Sequence, residues 1–369
     1  MTDPNVEAII AVHTSTRPIA RVVASIVNGT RVPVAVTVIA HNVERAAVVS
    51  GLGALSELPT VRVLELQDGI PSPAGPFNFG LACAEAEWVT LVGSDDELER
   101  GAIDSWLSTA EALHADFVIP RIHHVGGRDE ATPPVRRGPP QTRLVEPVRD
   151  RLPYRSAPLG LMSMRAFGHL RFTERMRSGE DLAFVLQIWF SGRPIAFNRS
   201  GPAYLVHRDQ NDRVSFDPRS AAEDFAILDD TIGSPWFARL TRRQRRLIVL
   251  KFLRMQVLDA VAIRLDRNVS EIDLAVLSKS VSRLHDSAPD AARYLAQVDW
   301  EVIEDLRCGR WEPESWRLLF DRRWNPRDPG ASLPHRLALA AHPDSPARTL
   351  AAQSRVAQPP PSEAAAHAN

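Results

Sequence analysis

The sequence predicts an α/β domain, a mostly parallel sheet covered by helices on both faces, followed by an α-helical domain. Three observations carry this. Over roughly the first 120 residues, short β-branched runs alternate with segments of helical period, the order that builds a parallel sheet through crossover helices. From about residue 219 to 325 the pattern is helical, with Leu247, Val249, Leu250, Leu253, Val257, Leu258 and Val261 among the core candidates. Beyond residue 331, Ala, Pro and Ser dominate and Pro359-Pro360-Pro361 occurs, a composition that predicts a disordered tail. The expected divisions are therefore 1–215, 216–330 and 331–369.

Taken in order, Val6 to Val12 is an apolar run suited to a buried parallel strand. The turn His13-Thr14-Ser15-Thr16 follows, and Pro18 suits the first turn of a helix. Ile19, Val22, Val23, Ile26 and Val27 give that helix one apolar face. Val34 to Ala40 and Val61 to Leu66 are the second and third strands, with a helix between them from Val43 to Leu58 weakened by Gly51 and Gly53. A Gly- and Pro-rich loop from Asp68 to Gly75 leads at Pro76 into another helix, and Trp88 to Val92 is the fourth strand. Ala102, Ile103, Trp106, Leu107, Ala110 and Leu113 mark an amphipathic helix, and Phe117 to Ile122 reads as a fifth strand. Residues 125–150 hold five prolines and many arginines and read as a long loop, before mixed structure resumes over 157–207.

Composition narrows the function. With 369 residues and 44% hydrophobic content the chain holds a full core. Its net charge of -1 gives no electrostatic case for a nucleic-acid partner. Cys83 and Cys308 stand in no metal or redox spacing, so a reduced compartment is expected. No apolar run reaches the ~20 residues that span a bilayer, and Met1-Thr2-Asp3-Pro4 lacks a signal-peptide pattern. These readings place the chain in the cytoplasm. The run Arg242-Arg243-Gln244-Arg245-Arg246 is either a solvated helix face or a contact with anionic lipid or a phosphorylated carrier at the inner membrane face. Neither a GxGxxG nor a Walker-type phosphate loop occurs.

Three places offer chemistry. Asp95-Asp96 directly follows a buried strand, where sheets of this class place their ligands. Such carboxylates suit Mg²⁺ or Mn²⁺, or they cap the next helix. Glu180-Asp181 opens an amphipathic segment with Leu182, Val185, Leu186 and Trp189 below it. One carboxylate there is a candidate general base, again with helix capping as the plainer alternative. His207 follows a short apolar stretch and is either a metal ligand or an ordinary hydrogen-bonded residue.

In order along the chain these pieces resemble the family 2 glycosyltransferases, which have the GT-A fold. The resemblance rests on Phe77-Asn78-Phe79-Gly80, then Gly93-Ser94-Asp95-Asp96-Glu97-Leu98, then Gly179-Glu180-Asp181, then His207, and covers residues 5–210. It implies an inverting, metal-dependent transfer of sugar from a nucleotide-sugar donor to the hydroxyl of a carbohydrate or glycolipid acceptor, in surface polysaccharide or glycoconjugate synthesis. Carried over, Asp95 would hold Mg²⁺ or Mn²⁺ beside Asp96, with His207 as a further ligand, and Asp181 would be the base. Thr14, Ser15, Arg17 and Asn78 would lie at the nucleotide. The chain departs from the family pattern at Gly93, where an aspartate is usual, at Phe77, where an arginine is usual, and at Ala40-His41-Asn42, which replaces an acidic turn. Asp68 is placed to compensate for that turn. The resemblance leaves a second reading open, a GT-A protein that has lost catalysis and serves as a binding or scaffold subunit. The helical domain is expected to shape the acceptor site or form a homodimer.

Overall fold

The computed structural model describes residues 4–134, 142–176, 179–209, 219–267, 269–325 and 327–354. Ser178, the Pro-rich stretch 135–141 and the end of the tail with Pro359-Pro360-Pro361 lie outside them. The chain forms two compact units, which divide near residue 215.

The first unit begins with β1 (Val6–Val12), α1 (Ile19–Val27), β2 (Val34–His41), α2 (Arg45–Leu52) and β3 (Val61–Leu66). It continues with α3 (Ala74–Cys83), β4 (Trp88–Gly93), β5 (Glu97–Leu98), α4 (Ala102–Leu113), β6 (Phe117–Pro120) and β7 (Ile122–His124). β8 (Arg143–Val145), β9 (Leu161–Ser163), α5 (Met164–Phe167), α6 (Leu182–Trp189), β10 (Ile195–Asn198) and β11 (Tyr204–Val206) complete it. The main sheet has the order β3-β2-β1-β4-β9-β6-β10-β8, and β5-β11-β7 form a smaller one. β1 pairs in parallel with both β2 and β4, and β2 with β3, while β9 and β8 run antiparallel to their neighbours. The apolar runs of β1, β2 and β4 are almost wholly buried, as a sheet covered on both faces requires, while β3 at the edge is half-buried.

The order 3-2-1-4 reverses direction between β1 and β4. The two strands stay paired as far as Ala11 and Gly93, and beyond their carboxyl ends lies the crevice in which open α/β sheets bind ligands. α3 lies so close over β1 that a Cβ at Gly80 would come within 2.4 Å of the Ile9 side chain. The helix beginning in α2 stops at Gly53, whose φ of 56° suits glycine, and gives way to a short 3₁₀ turn rather than running on to Leu58.

The segment read as one fifth strand is two. β6 pairs in the main sheet and β7 in the small one. At Arg121 between them, the carbonyl accepts the Tyr204 amide at 2.8 Å and the guanidinium binds Glu99 at 3.0 Å. The expected loop contains β8, whose Arg143 is anchored to buried Asp150 at 2.8 Å. His123 and His124 take different partners, Asp129 at 2.9 Å and Glu130 at 3.2 Å.

The second unit is helical: α7 (Ala221–Gly233), α8 (Pro235–Ala238), α9 (Arg242–Phe252), α10 (Leu258–Ala262), α11 (Glu271–Ser287), α12 (Gln297–Arg307), α13 (Pro313–Arg323), α14 (Pro329–Ser332) and α15 (Pro346–Ser354). Ser220 with Glu223, and Thr241 with Gln244, form reciprocal capping boxes that start α7 and α9. The basic run divides on α9. Arg246 turns inward to Asp290 and Asp344, at 3.5 and 3.2 Å, while Arg242 stays exposed. Residues 331–354, expected to be disordered, are instead held in this unit. His335 stacks on Trp300 with ring centroids 3.7 Å apart, and Arg254 donates to the Asp344 carbonyl at 2.8 Å. Specific anchors outweigh a composition that predicts no core. None of the described helices is long and apolar enough to cross a membrane.

Candidate active site

A cavity of about 640 Å³ opens at the carboxyl ends of β1 and β4. β1 supplies Ala11 and Val12, and the turn after it adds His13 and Arg17. β4 supplies Gly93, Ser94, Asp95 and Asp96. The segment entering α6 supplies Gly179, Glu180 and Asp181, and the end of β2 supplies His41 and Asn42. The fold therefore brings Arg17, Asp95, Asp96 and Asp181 to one cavity from three separated stretches of sequence.

Asp95 is gripped by arginines. Arg17 Nη1 lies 2.7 Å from Asp95 Oδ2, and both side chains are largely buried. Arg21, on the first turn of α1, donates to the Asp95 carbonyl and lies 3.5 Å from Glu97. Arg21 also binds Asp209 at 2.7 Å, and that hydrogen bond foremost raises its already high pKa. The sequence reading missed Arg21. No local pattern signals it, because Arg21 stands on the first turn of α1 and its partners Asp95, Glu97 and Asp209 are all distant in sequence.

Asp96 has a different task. Its Oδ2 accepts the Tyr204 hydroxyl at 2.7 Å and its Oδ1 accepts the His207 amide at 3.2 Å. The same Tyr204 oxygen accepts the Gly93 amide at 2.8 Å. Burial, and next the Asp96 charge, push the Tyr204 phenol well above its ordinary range, so it remains a donor. This network explains Gly93: a Cβ there would meet Asp96 Oδ2 at 2.5 Å. Tyr204→Phe would leave a buried carboxylate oxygen and a buried amide short of a partner. We expect it to cost about 2 kcal/mol, measured by urea unfolding against wild type; an unchanged midpoint would refute the structural role assigned to Tyr204.

The His207 ring faces Glu97, with Nε2 3.1 Å from Glu97 Oε2. Among the described residues, no three His, Cys, Asp or Glu side chains converge as a ready-made metal cage. Mg²⁺ and Mn²⁺ are commonly held by one or two carboxylates while substrate phosphates and water complete the shell. Asp95, on the wall of a cavity large enough for a nucleotide, fits that mode. Asp96, tied to Tyr204, and His207, turned to Glu97, are better fitted to shaping the turn.

Asp181 stands at the N-cap position of α6, yet its side chain makes no cap hydrogen bond. Glu180 is pushed up by burial. Behind this pair Phe172 stacks on Phe184 of α6 at 4.4 Å and on Phe77 of α3 at 5.5 Å. Phe77, where the family usually has arginine, thus packs α3 against the segment that presents the two acids.

Asn78 is not at the cavity wall. Both ends of its amide are used on the Phe172 backbone, at 2.8 and 3.1 Å. Thr14 shapes the turn after β1 through its hydroxyl and carbonyl, and Ser15 is exposed beside it; neither lines the cavity. Asp68 reaches from the end of β3 to the end of β2, where its Oδ1 accepts from His41 at 2.8 Å and Asn42 at 3.2 Å. Burial works to raise this carboxyl, and the Ile70 amide, His41 and Asn42 outweigh it and hold it below the usual range. A carboxylate therefore stands beside the β2 turn although the turn itself has none.

The comparisons with known proteins bear on the fold and its family. Residues 8–171 match the family model described as Glycosyl transferase family 2. Poly(ribitol-phosphate) beta-N-acetylglucosaminyltransferase TarS of Staphylococcus aureus is 21% identical over 157 residues, which are 42% of this chain and 27% of that protein. The chain thus spans about a quarter of the length of the curated relatives it matches. The crystal structure of S. aureus TarS 1-349 in complex with UDP-GlcNAc superimposes with a TM-score of 0.71 at 14% identity, covering 86% of this chain and 90% of that one. The complex with UDP gives 0.67 over the same shares, also at 14% identity. At such identity it is the fold that is shared. Residues 8–171 thus form a domain that matches glycosyl transferase family 2, and the chain shares the GT-A fold of TarS 1-349.

Proposed function

We propose that this protein moves a sugar, with inversion, from a uridine-diphosphate sugar of the UDP-N-acetylglucosamine kind to a hydroxyl of a carbohydrate, polyol-phosphate or glycolipid acceptor. The observation that carries the reading is one cavity lined by two separate acidic groups, Asp95 and the pair Glu180-Asp181, together with Arg17. The TarS complexes motivate the choice of donor. Such a polymer-building step belongs to surface polysaccharide or glycoconjugate assembly, at the cytoplasmic side where nucleotide sugars are supplied.

In this reading the acceptor oxygen attacks the anomeric carbon as the bond to the leaving diphosphate breaks. The Asp181 carboxylate takes the acceptor's proton, and the diphosphate departs with the bonding electron pair. A divalent cation, Mg²⁺ or Mn²⁺, held by Asp95 together with the diphosphate would neutralise charge on that leaving group. Arg17 sits beside Asp95 and Asp68 secures the β2 turn, so both shape the donor end.

Gly93 and Phe77 were the support for a degenerate scaffold, and both have packing reasons here: the Asp96–Tyr204 network and the Phe172 stack. Calorimetric titration with UDP, GDP, dTDP and CDP, each with and without Mn²⁺, tests the proposal. We expect UDP to bind, at least about tenfold more tightly with Mn²⁺. A folded sample that binds none of the four would favour the scaffold reading.

A further inference from the structure

Asp95 already has a cation. Arg17 Nη1 lies 2.7 Å from its Oδ2, the Arg17 side chain is 5% exposed and that of Asp95 15%. Arg17 Nη2 lies 3.5 Å from His13 Nε2, and all three residues face the cavity. A guanidinium paired this deeply is not displaced cheaply, because removing its carboxylate leaves a buried charge uncompensated. A divalent ion alone at Asp95 would do just that. A diphosphate arriving with the ion would not, since its oxygens offer the guanidinium a bidentate partner at least as good as the one it loses.

We propose that Arg17 is a gate on Asp95, so that the site admits a divalent metal only together with a diphosphate that takes over the Arg17 guanidinium. The inference rests on the metal-assisted reading above. It adds that metal and donor bind as one unit, with Arg17 as the residue that couples them. By linkage, each must strengthen the other's binding by the same factor. The coupling runs through phosphate, so inorganic pyrophosphate should support metal binding and uridine should not.

The test follows Mn²⁺ by electron paramagnetic resonance, with binding to free nucleotide subtracted, on the full chain and on Arg17→Gln and Arg17→Lys. In wild type we expect weak Mn²⁺ binding alone, at least about tenfold stronger binding with UDP or pyrophosphate, and no gain with uridine. Arg17→Gln should bind Mn²⁺ alone about tenfold more tightly than wild type and lose most of the coupling. Arg17→Lys, which keeps a cation but not the bidentate fork, should still bind Mn²⁺ alone weakly and should retain only part of the coupling. The gate is overturned if wild type binds Mn²⁺ equally well with and without UDP, a result that needs no variant to fold. It is also overturned if a folded Arg17→Gln binds Mn²⁺ alone no better than wild type. If UDP binds but neither protein holds Mn²⁺ under any condition, the metal-assisted reading itself fails and takes the gate with it.

Discussion

Asp181→Asn should lower turnover by about two to four orders of magnitude, the usual contribution of a positioned general base, while donor binding stays within about twofold. Asparagine keeps the size of the side chain and removes only its ability to accept the acceptor's proton. Its carboxylate makes no cap hydrogen bond to α6, so the substitution does not cost the helix a cap. The segment is held independently by the Thr173 amide on the Glu180 carbonyl at 3.1 Å and by the Phe172–Phe184 stack. Glu180→Gln is the informative companion. Because burial raises the Glu180 pKa in the folded protein, its ionised form costs stability at neutral pH, and that cost is relieved as the pH falls through the raised value. Glu180→Gln removes the cost and should not lower thermal stability. Turnover measured with saturating donor decides between the two acids. Near-normal transfer by Asp181→Asn, with loss in Glu180→Gln, would move the base to Glu180.

Asp95→Ala should have the second large effect, and on two readouts. Mn²⁺-dependent binding of the nucleotide should weaken at least about tenfold, because Asp95 is the carboxylate proposed to hold the ion. Stability should fall by about 3 kcal/mol, toward the lower end of what breaking a buried ion pair costs. The lower end applies because Asp95 borders the cavity and water can reach the vacated space. Asp95→Asn should show the same loss of metal-dependent binding with a smaller loss of stability, since the amide oxygen still accepts from Arg17. Calorimetry with and without Mn²⁺, alongside urea unfolding, separates the two effects. Metal-dependent binding that survives in Asp95→Ala would remove Asp95 from the metal site, whatever happened to stability.

The strands β1 to β4 and the helices α1 and α4 were legible in the sequence, because a buried strand or one-sided helix writes its period into consecutive residues. The acidic pairs Asp95-Asp96 and Glu180-Asp181 stood out for a related reason: the first follows a buried strand, the second opens an apolar helix, and both border the cavity. Arg17 was placed near the nucleotide, but its pairing with Asp95 was not foreseen. The split of β6 from β7, the strand β8 and the anchoring of residues 331–354 were not legible, since each depends on partners elsewhere in its unit: Tyr204 for Arg121, Asp150 for Arg143, Trp300 for His335.

By itself, then, the sequence determined an α/β sheet of GT-A type, a helical second unit and two acidic motifs. Only the tertiary structure decided which partners these residues take. It turned Asn78 onto Phe172, tied Asp96 to Tyr204, brought Asp68 to His41 and gave Asp95 to Arg17. The physical reason is distance along the chain. Periodicity is a property of neighbours, whereas Tyr204 and Asp96 are 108 positions apart and Asn78 and Phe172 are 94, and such pairs meet only when the sheet has formed.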